Sequence, residues 1–155
     1  MRTAPARSAR AGFTLIEAVI VFVLIGIITA YAYPRLVGGT VRNNVRAARG
    51  HLISLYSKAR AAAIETNRPT TLNFTANRAF ITASPRFAAG VGTVDTIGAV
   101  DNLTTRYGVT LTWNPAAQIA IDPRGFGSLT VTTVWATRGG VTDSMVVSGF
   151  GRVIK

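Results

Sequence analysis

The chain has 155 residues, with 17 Lys+Arg against 6 Asp+Glu, a single His and no Cys. Without cysteine, disulfides, thiolate metal sites, cysteine nucleophiles and a lipid-modified cysteine anchor are excluded, while the redox compartment stays open. Fifteen of the seventeen cations are Arg, and a net charge of +11 suits nucleic acid, anionic lipid or an acidic protein face, although charge alone favours the plainer reading of a solvated Arg-rich surface.

Residues 1–12 hold Arg2, Arg7 and Arg10, and an almost wholly apolar run follows from Phe13 to Tyr33. At about 1.5 Å per residue, some 20 residues cross the hydrocarbon core of a bilayer. The run is therefore long enough to span, and longer than the apolar region of a secretory signal. Ala30-Tyr31-Ala32 imitates a signal-peptidase site, but Glu17 interrupts the start of the run. Orientation does not follow from charge, since three Arg precede the span while Arg35, Arg42, Arg46 and Arg49 lie within about 20 residues after it. An anchor of some forty residues would leave about 115 for one small domain. Loss of residues 1–12 would leave 14 basic and 6 acidic side chains, a net of +8.

The stretch Gly12-Phe13-Thr14-Leu15-Ile16-Glu17 resembles the processing motif of type IV pilins and type II secretion pseudopilins. That resemblance implies a prepilin-type leader at 1–12, removed by a prepilin peptidase between Gly12 and Phe13, with Phe13 then N-methylated. It makes Glu17 the fifth mature residue and Pro34 the twenty-second. It places the chain in the inner membrane as a single-pass protein, N-terminus cytoplasmic and C-terminal domain periplasmic, and in a pilus or pseudopilus. An unpaired carboxylate in hydrocarbon costs several kcal/mol. In a staggered filament, Glu17 of one subunit would meet the Phe13 amine of another and reward one register. The competing reading is a Glu that snorkels to the headgroups. Proline removes a helix hydrogen bond and glycine weakens helix propensity. The resemblance implies that the Gly26–Pro34 stretch unwinds on assembly, against a simple kink.

Residues 13–36 are thus expected to form a transmembrane and assembly helix, and 37–68 an amphipathic helix. Gly38-Gly39 predicts a hinge, with Thr40 as N-cap of the second helix. Val41, Val45, Ala48, Leu52, Leu55, Ala59 and Ala63 recur at three- and four-residue steps and predict a buried face. Arg42, Arg46, Arg49 and Arg60 form a line beside that face, read as a solvated flank or as a contact to a filament neighbour, lipid or polyanion. Asn67-Arg68-Pro69 ends the helix. His51, with no second His or Cys, is a poor metal ligand.

Residues 69–155 read as a β-rich domain. Strands are expected at 70–74 and 78–82 as a hairpin, then at 107–113, 118–122, 129–136 and 144–148. Residues 83–105 show no clear period and predict a long loop with one short strand at most. The fold class is α+β, a long helix packed on a mostly antiparallel sheet. YSKARAAAIETNRPTTLNF, IAIDPRGFGS and VVSGFGRVIK are similar to the GspH/FimT branch of the same family.

Catalysis finds no support. One histidine gives no triad, the acids show no motif spacing, and Ala88-Ala89-Gly90-Val91-Gly92-Thr93 lacks the lysine of a phosphate loop. No enzyme activity, cofactor, metal or small-molecule substrate is expected. The resemblance implies a minor pseudopilin or minor pilin near the tip of a type II secretion pseudopilus or type IV pilus, supporting secretion or pilus assembly. Its partners would be other pilins through the N-terminal helix, the prepilin peptidase and the inner membrane. The alternative is a FimT-like DNA-binding minor pilin for DNA uptake. For that role Arg124, Arg138, Arg152 and Lys155 are the candidate phosphate contacts. The ending Gly151-Arg152-Val153-Ile154-Lys155 departs from the Gly-Arg-x-Arg element of such binders, its second cation being a Lys one position late.

Overall fold

The structure is a computed structural model that describes residues 13–85, 94–127 and 129–154. The leader 1–12, Gly12 and Lys155 lie outside the described residues. By internal contacts the chain divides into two compact units, one ending at Gly38 and one beginning at Gly39.

The first helix, α1 (Leu15–Thr66), contributes to both units. Its N-terminal part carries the apolar run, and its side chains lie exposed, from Phe13 at 82% to Tyr33 at 67%. It is the one helix among the described residues long and apolar enough to cross a membrane. Gly26 and Pro34 both sit inside it. So do Gly38, Gly39 and Thr40, so Thr40 is an interior residue of α1 and not the expected N-cap. Each glycine costs a helix only about 1 kcal/mol. Helix propagation is cooperative, and turns on both sides carry the backbone bonds through.

The second unit holds the fold's core. β1 (Thr70–Phe74) and β2 (Arg78–Ala83) form the expected hairpin, with Phe74 opposite Ala79. β3 (Asp95–Asn102), α2 (Leu103–Tyr107), β4 (Thr110–Asn114) and β5 (Gln118–Ile121) follow. β6 (Thr132–Arg138), β7 (Val141–Val147) and β8 (Val153–Ile154) complete the chain. Two antiparallel four-stranded sheets result, in the orders β3-β2-β1-β5 and β4-β6-β7-β8. β1 shows why a strand forms there: Thr70, Leu72 and Phe74 are buried while Thr71 and Asn73 are half-buried.

One core joins α1 to both sheets. Val45, Ala48, Leu52, Leu55, Tyr56, Ala59 and Ala63 of α1 bury with Leu72, Ile81 and Ile121 of one sheet and Leu111, Val134 and Met145 of the other. Six of the seven predicted face positions are buried, and Val41 at the end of the stripe is half-exposed.

The stretch from 95 to 107 corrects the loop expectation. It carries an eight-residue edge strand and a short helix. β3 hides from a periodicity reading because most of its residues are exposed on both faces. Gly98 sits at φ +77°, and the register against β2 shifts between Ala79 and Ile81. α2 is held by its caps instead of by a stripe. Asn102 accepts the Thr105 N–H at 3.0 Å, and Gly108 closes it in the left-handed region at φ +67°. That helix takes residues 103–107 and moves the next strand to 110–114.

Candidate functional site

Two places carry the predicted site residues. In the first unit, Phe13, Glu17 and Pro34 lie on the exposed apolar segment. Glu17 is the sole charged residue between Phe13 and Tyr33. Its backbone N–H donates to Thr14 Oγ1 at 3.3 Å, and the Ala18 N–H donates to the Thr14 carbonyl at 3.2 Å. Thr14 therefore caps α1, and Glu17 is the acid three residues on, as in a capping box. The sequence pattern Thr-x-x-Glu carried this signal, and it was missed beside the register argument.

The second place is one end of the globular unit, where two glycine turns meet. Asp122 opens the first. Its Oδ1 accepts the N–H groups of Arg124 at 3.0 Å and Phe126 at 2.7 Å, and its carbonyl accepts the Gly125 N–H at 2.9 Å. The second turn runs from Ser148 to Arg152. The Gly151 N–H donates to the Ser148 carbonyl, and the Arg152 N–H to Ser148 Oγ at 3.0 Å. Gly151 stands at φ +80°, and a Cβ there would lie 2.9 Å from the Gly127 nitrogen. The turns thus touch backbone to backbone, which only glycine permits.

Tyr56 of α1 fixes this junction. Its hydroxyl donates to the Gly151 carbonyl at 3.1 Å, and its ring is buried. Burial pushes the phenol pKa above its ordinary 10.0, with the Arg60 guanidinium acting weakly the other way. Arg60 and Ile64, one and two turns further along α1, come within 3.2 Å and 2.8 Å of the Cβ position on Gly125. A groove follows, lined by Tyr56, Arg60, Ile64, Phe150 and Arg152 among others.

The structure therefore brings the turn of Arg124 and the turn of Arg152 together, with Arg60 between them. Arg138 is elsewhere. Its guanidinium donates to the Tyr107 carbonyl and packs on Gly108, and the following Gly139 sits against Val41. Val41 and Arg60 are nineteen positions apart in α1, roughly 28 Å at about 1.5 Å per residue. Of the expected Arg line, Arg49 is taken up by Asp143 at 2.9 Å, and Arg60 joins the glycine turns. Tyr56 and the role of Arg60 were missed; the paired Gly-x-Gly stretches at 125–127 and 149–151 were the available signal.

The acids are mostly engaged. Arg68 meets Asp95 at 2.8 Å and also donates to the Ser84 carbonyl. His51 Nε2 lies 3.1 Å from Asp101 Oδ2, without hydrogen-bond alignment. Among the described residues, no three His, Cys, Asp or Glu side chains converge as a metal site would require.

Residues 7–33 match the prokaryotic N-terminal methylation motif. No curated protein matches the sequence. Among solved structures, the chain is similar to the type IV minor pilin FimU of Pseudomonas aeruginosa, with a TM-score of 0.56 and 16% identity over 73% of this chain and 88% of that one.

Proposed function

From the premise that the chain is type IV pilin-like in its N-terminal motif and in its fold, we propose that it is a minor subunit of an assembled filament, a type IV pilus or a type II secretion pseudopilus. The observation that carries this reading is the exposed apolar segment of α1 with one carboxylate, Glu17, near its start. A helix apolar on every side has no fold-internal use unless lipid or other helices cover it. A prepilin peptidase cuts between Gly12 and Phe13, Phe13 is N-methylated, and the segment holds the chain in the inner membrane until assembly. In the filament the segment packs on other pilins. Glu17 pairs with the Phe13 amine of a neighbour, and the Gly26–Pro34 stretch unwinds to fit. The globular unit lies in the periplasm. The role is structural, and supports pilus assembly or secretion of the GspH/FimT kind.

Mass spectrometry of the mature chain tests the processing step. A mass beginning at Phe13 with one added methyl group is expected, and Gly12→Ala should retain the leader. A mature chain with residues 1–12 attached overturns the reading.

A second reading, DNA capture during uptake, draws on Arg60 and Arg152 in one groove, beside the turn that carries Arg124. Arg138 lies apart from that cluster. Affinity for duplex DNA should then fall steeply with salt and weaken in Arg152→Ala. Binding indifferent to both excludes it.

A further inference from the structure

The end of the globular unit is apolar as well as basic. Phe150 is 80% exposed, Leu129 85%, Ile64 55% and Phe126 52%. The turns that carry Phe126 and Phe150 adjoin: Gly127 backs onto Gly151, Gly149 onto the Leu129 backbone, and Gly125 onto the Ile64 side chain. Ile64 and Phe150 line a groove together with Arg60 and Arg152. Large apolar side chains grouped on a surface and rimmed by Arg are the composition of a protein-binding face.

Charge decides what covers it. The chain has six side-chain carboxylates. Asp95, Asp101 and Asp143 face Arg68, His51 and Arg49. Asp122 is spent on the backbone of its own turn, and Glu17 lies in the apolar segment. Glu65 alone is left exposed without a cation among the described residues. A second copy of this chain therefore offers one free carboxylate, Glu65, against two Arg, and a self-complementary contact would set Arg against Arg. A nucleic acid would use the Arg, but Ile64 and Leu129 give a phosphate backbone nothing.

We propose that the face formed by Arg60, Ile64, Phe126, Leu129, Phe150 and Arg152 docks a different protein subunit, one that presents carboxylates around an apolar centre. The inference rests on the filament-subunit reading and names the neighbour's chemistry. The apolar side chains supply the buried area. Arg60 and Arg152 reject basic neighbours and fix which subunit sits beside this one.

The test uses the full chain in its own host with a photocrosslinking p-benzoylphenylalanine at Phe150 or, separately, at Phe22 of the apolar segment. Mass spectrometry identifies the linked peptide. The expected result at Phe150 is a link to a different pilin-like protein through an acidic segment. Arg60→Glu with Arg152→Glu should reduce that link roughly tenfold or more. The Phe22 link should persist in that variant, and Arg42→Glu with Arg46→Glu should leave both links in place. A Phe150 link to another copy of this chain, or to DNA, overturns the proposal. A Phe22 link with none at Phe150 overturns it while the filament-subunit reading stands. Absence of both removes that reading and this inference together.

Discussion

The Tyr56 hydroxyl donates to the Gly151 carbonyl at 3.1 Å across 95 positions of sequence. That bond ties the amphipathic part of α1 to the turn that carries Phe150 and Arg152. Tyr56→Phe keeps the ring in the core and removes the donor. It should cost about 1 kcal/mol of stability, read from the urea midpoint of the full chain in detergent. A pH signature accompanies it. Burial raises the folded phenol pKa above 10.0, so the folded state holds the proton more tightly than the unfolded state. This contribution is whole below pH 10 and is lost as pH rises through the higher folded value. Tyr56→Phe should remove that alkaline component of the stability profile.

Two glycines separate a packing demand from a propensity penalty. Gly151 sits at φ +80°, and a Cβ there would stand 2.8 Å from the Tyr56 hydroxyl oxygen. Gly151→Ala therefore meets both a disfavoured backbone and a clash, and should cost at least about 2 kcal/mol. Gly50 lies inside α1 with nothing within 4 Å of its Cβ position. Gly50→Ala should stabilise by about 0.5–1 kcal/mol. Thermal melts of both variants check the opposite signs.

Asp122 is a turn-former whose replacement should be graded. Its Oδ1 accepts two backbone N–H groups. Asp122→Ala leaves both without that partner and should cost about 1–2 kcal/mol. Asp122→Asn keeps an acceptor oxygen and should lose less. Equal losses would mean that the charge, and not the turn, matters here. The same pair of variants reports on the docking face, since the turn carries Phe126.

The α1 stripe and the hairpin were legible because each had a strong period and each met the core on one side only. Leu52 and Leu72 are near-fully buried, as their spacing demands. β3 was not legible, because an edge strand with most of its residues exposed leaves no alternation to read. The helix start at Thr40 failed for another reason: local propensity is weak beside the cooperativity of a long helix, and α1 runs through Gly38 and Gly39. At the site, Arg124 and Arg152 were named from the sequence, but their joining through Tyr56 was not. A contact between residues 95 positions apart leaves no local trace, and the glycines that permit it look like ordinary turn residues.

Glu17 carries two arguments that experiment can separate. As the third residue of α1 it stands where a negative charge suits the helix N-terminus, behind the Thr14 cap. As the sole charge of the apolar segment it would pair with a neighbour's amine. Thr14→Ala removes the cap and should fray the first turn at a local cost of about 0.5–2 kcal/mol. Because Glu17 remains, incorporation into filaments should stay near that of the parent chain. Glu17→Gln keeps the size and a hydrogen-bonding side chain and removes the charge. Membrane insertion should be unchanged, since a neutral amide costs hydrocarbon less than a carboxylate. Incorporation should fall sharply, because an amide does not form an ion pair with the Phe13 amine. The measurement is the fraction of each variant in sheared filaments relative to the membrane pool. If Glu17→Gln incorporates normally while Thr14→Ala does not, the acid serves the helix start and the register role is lost.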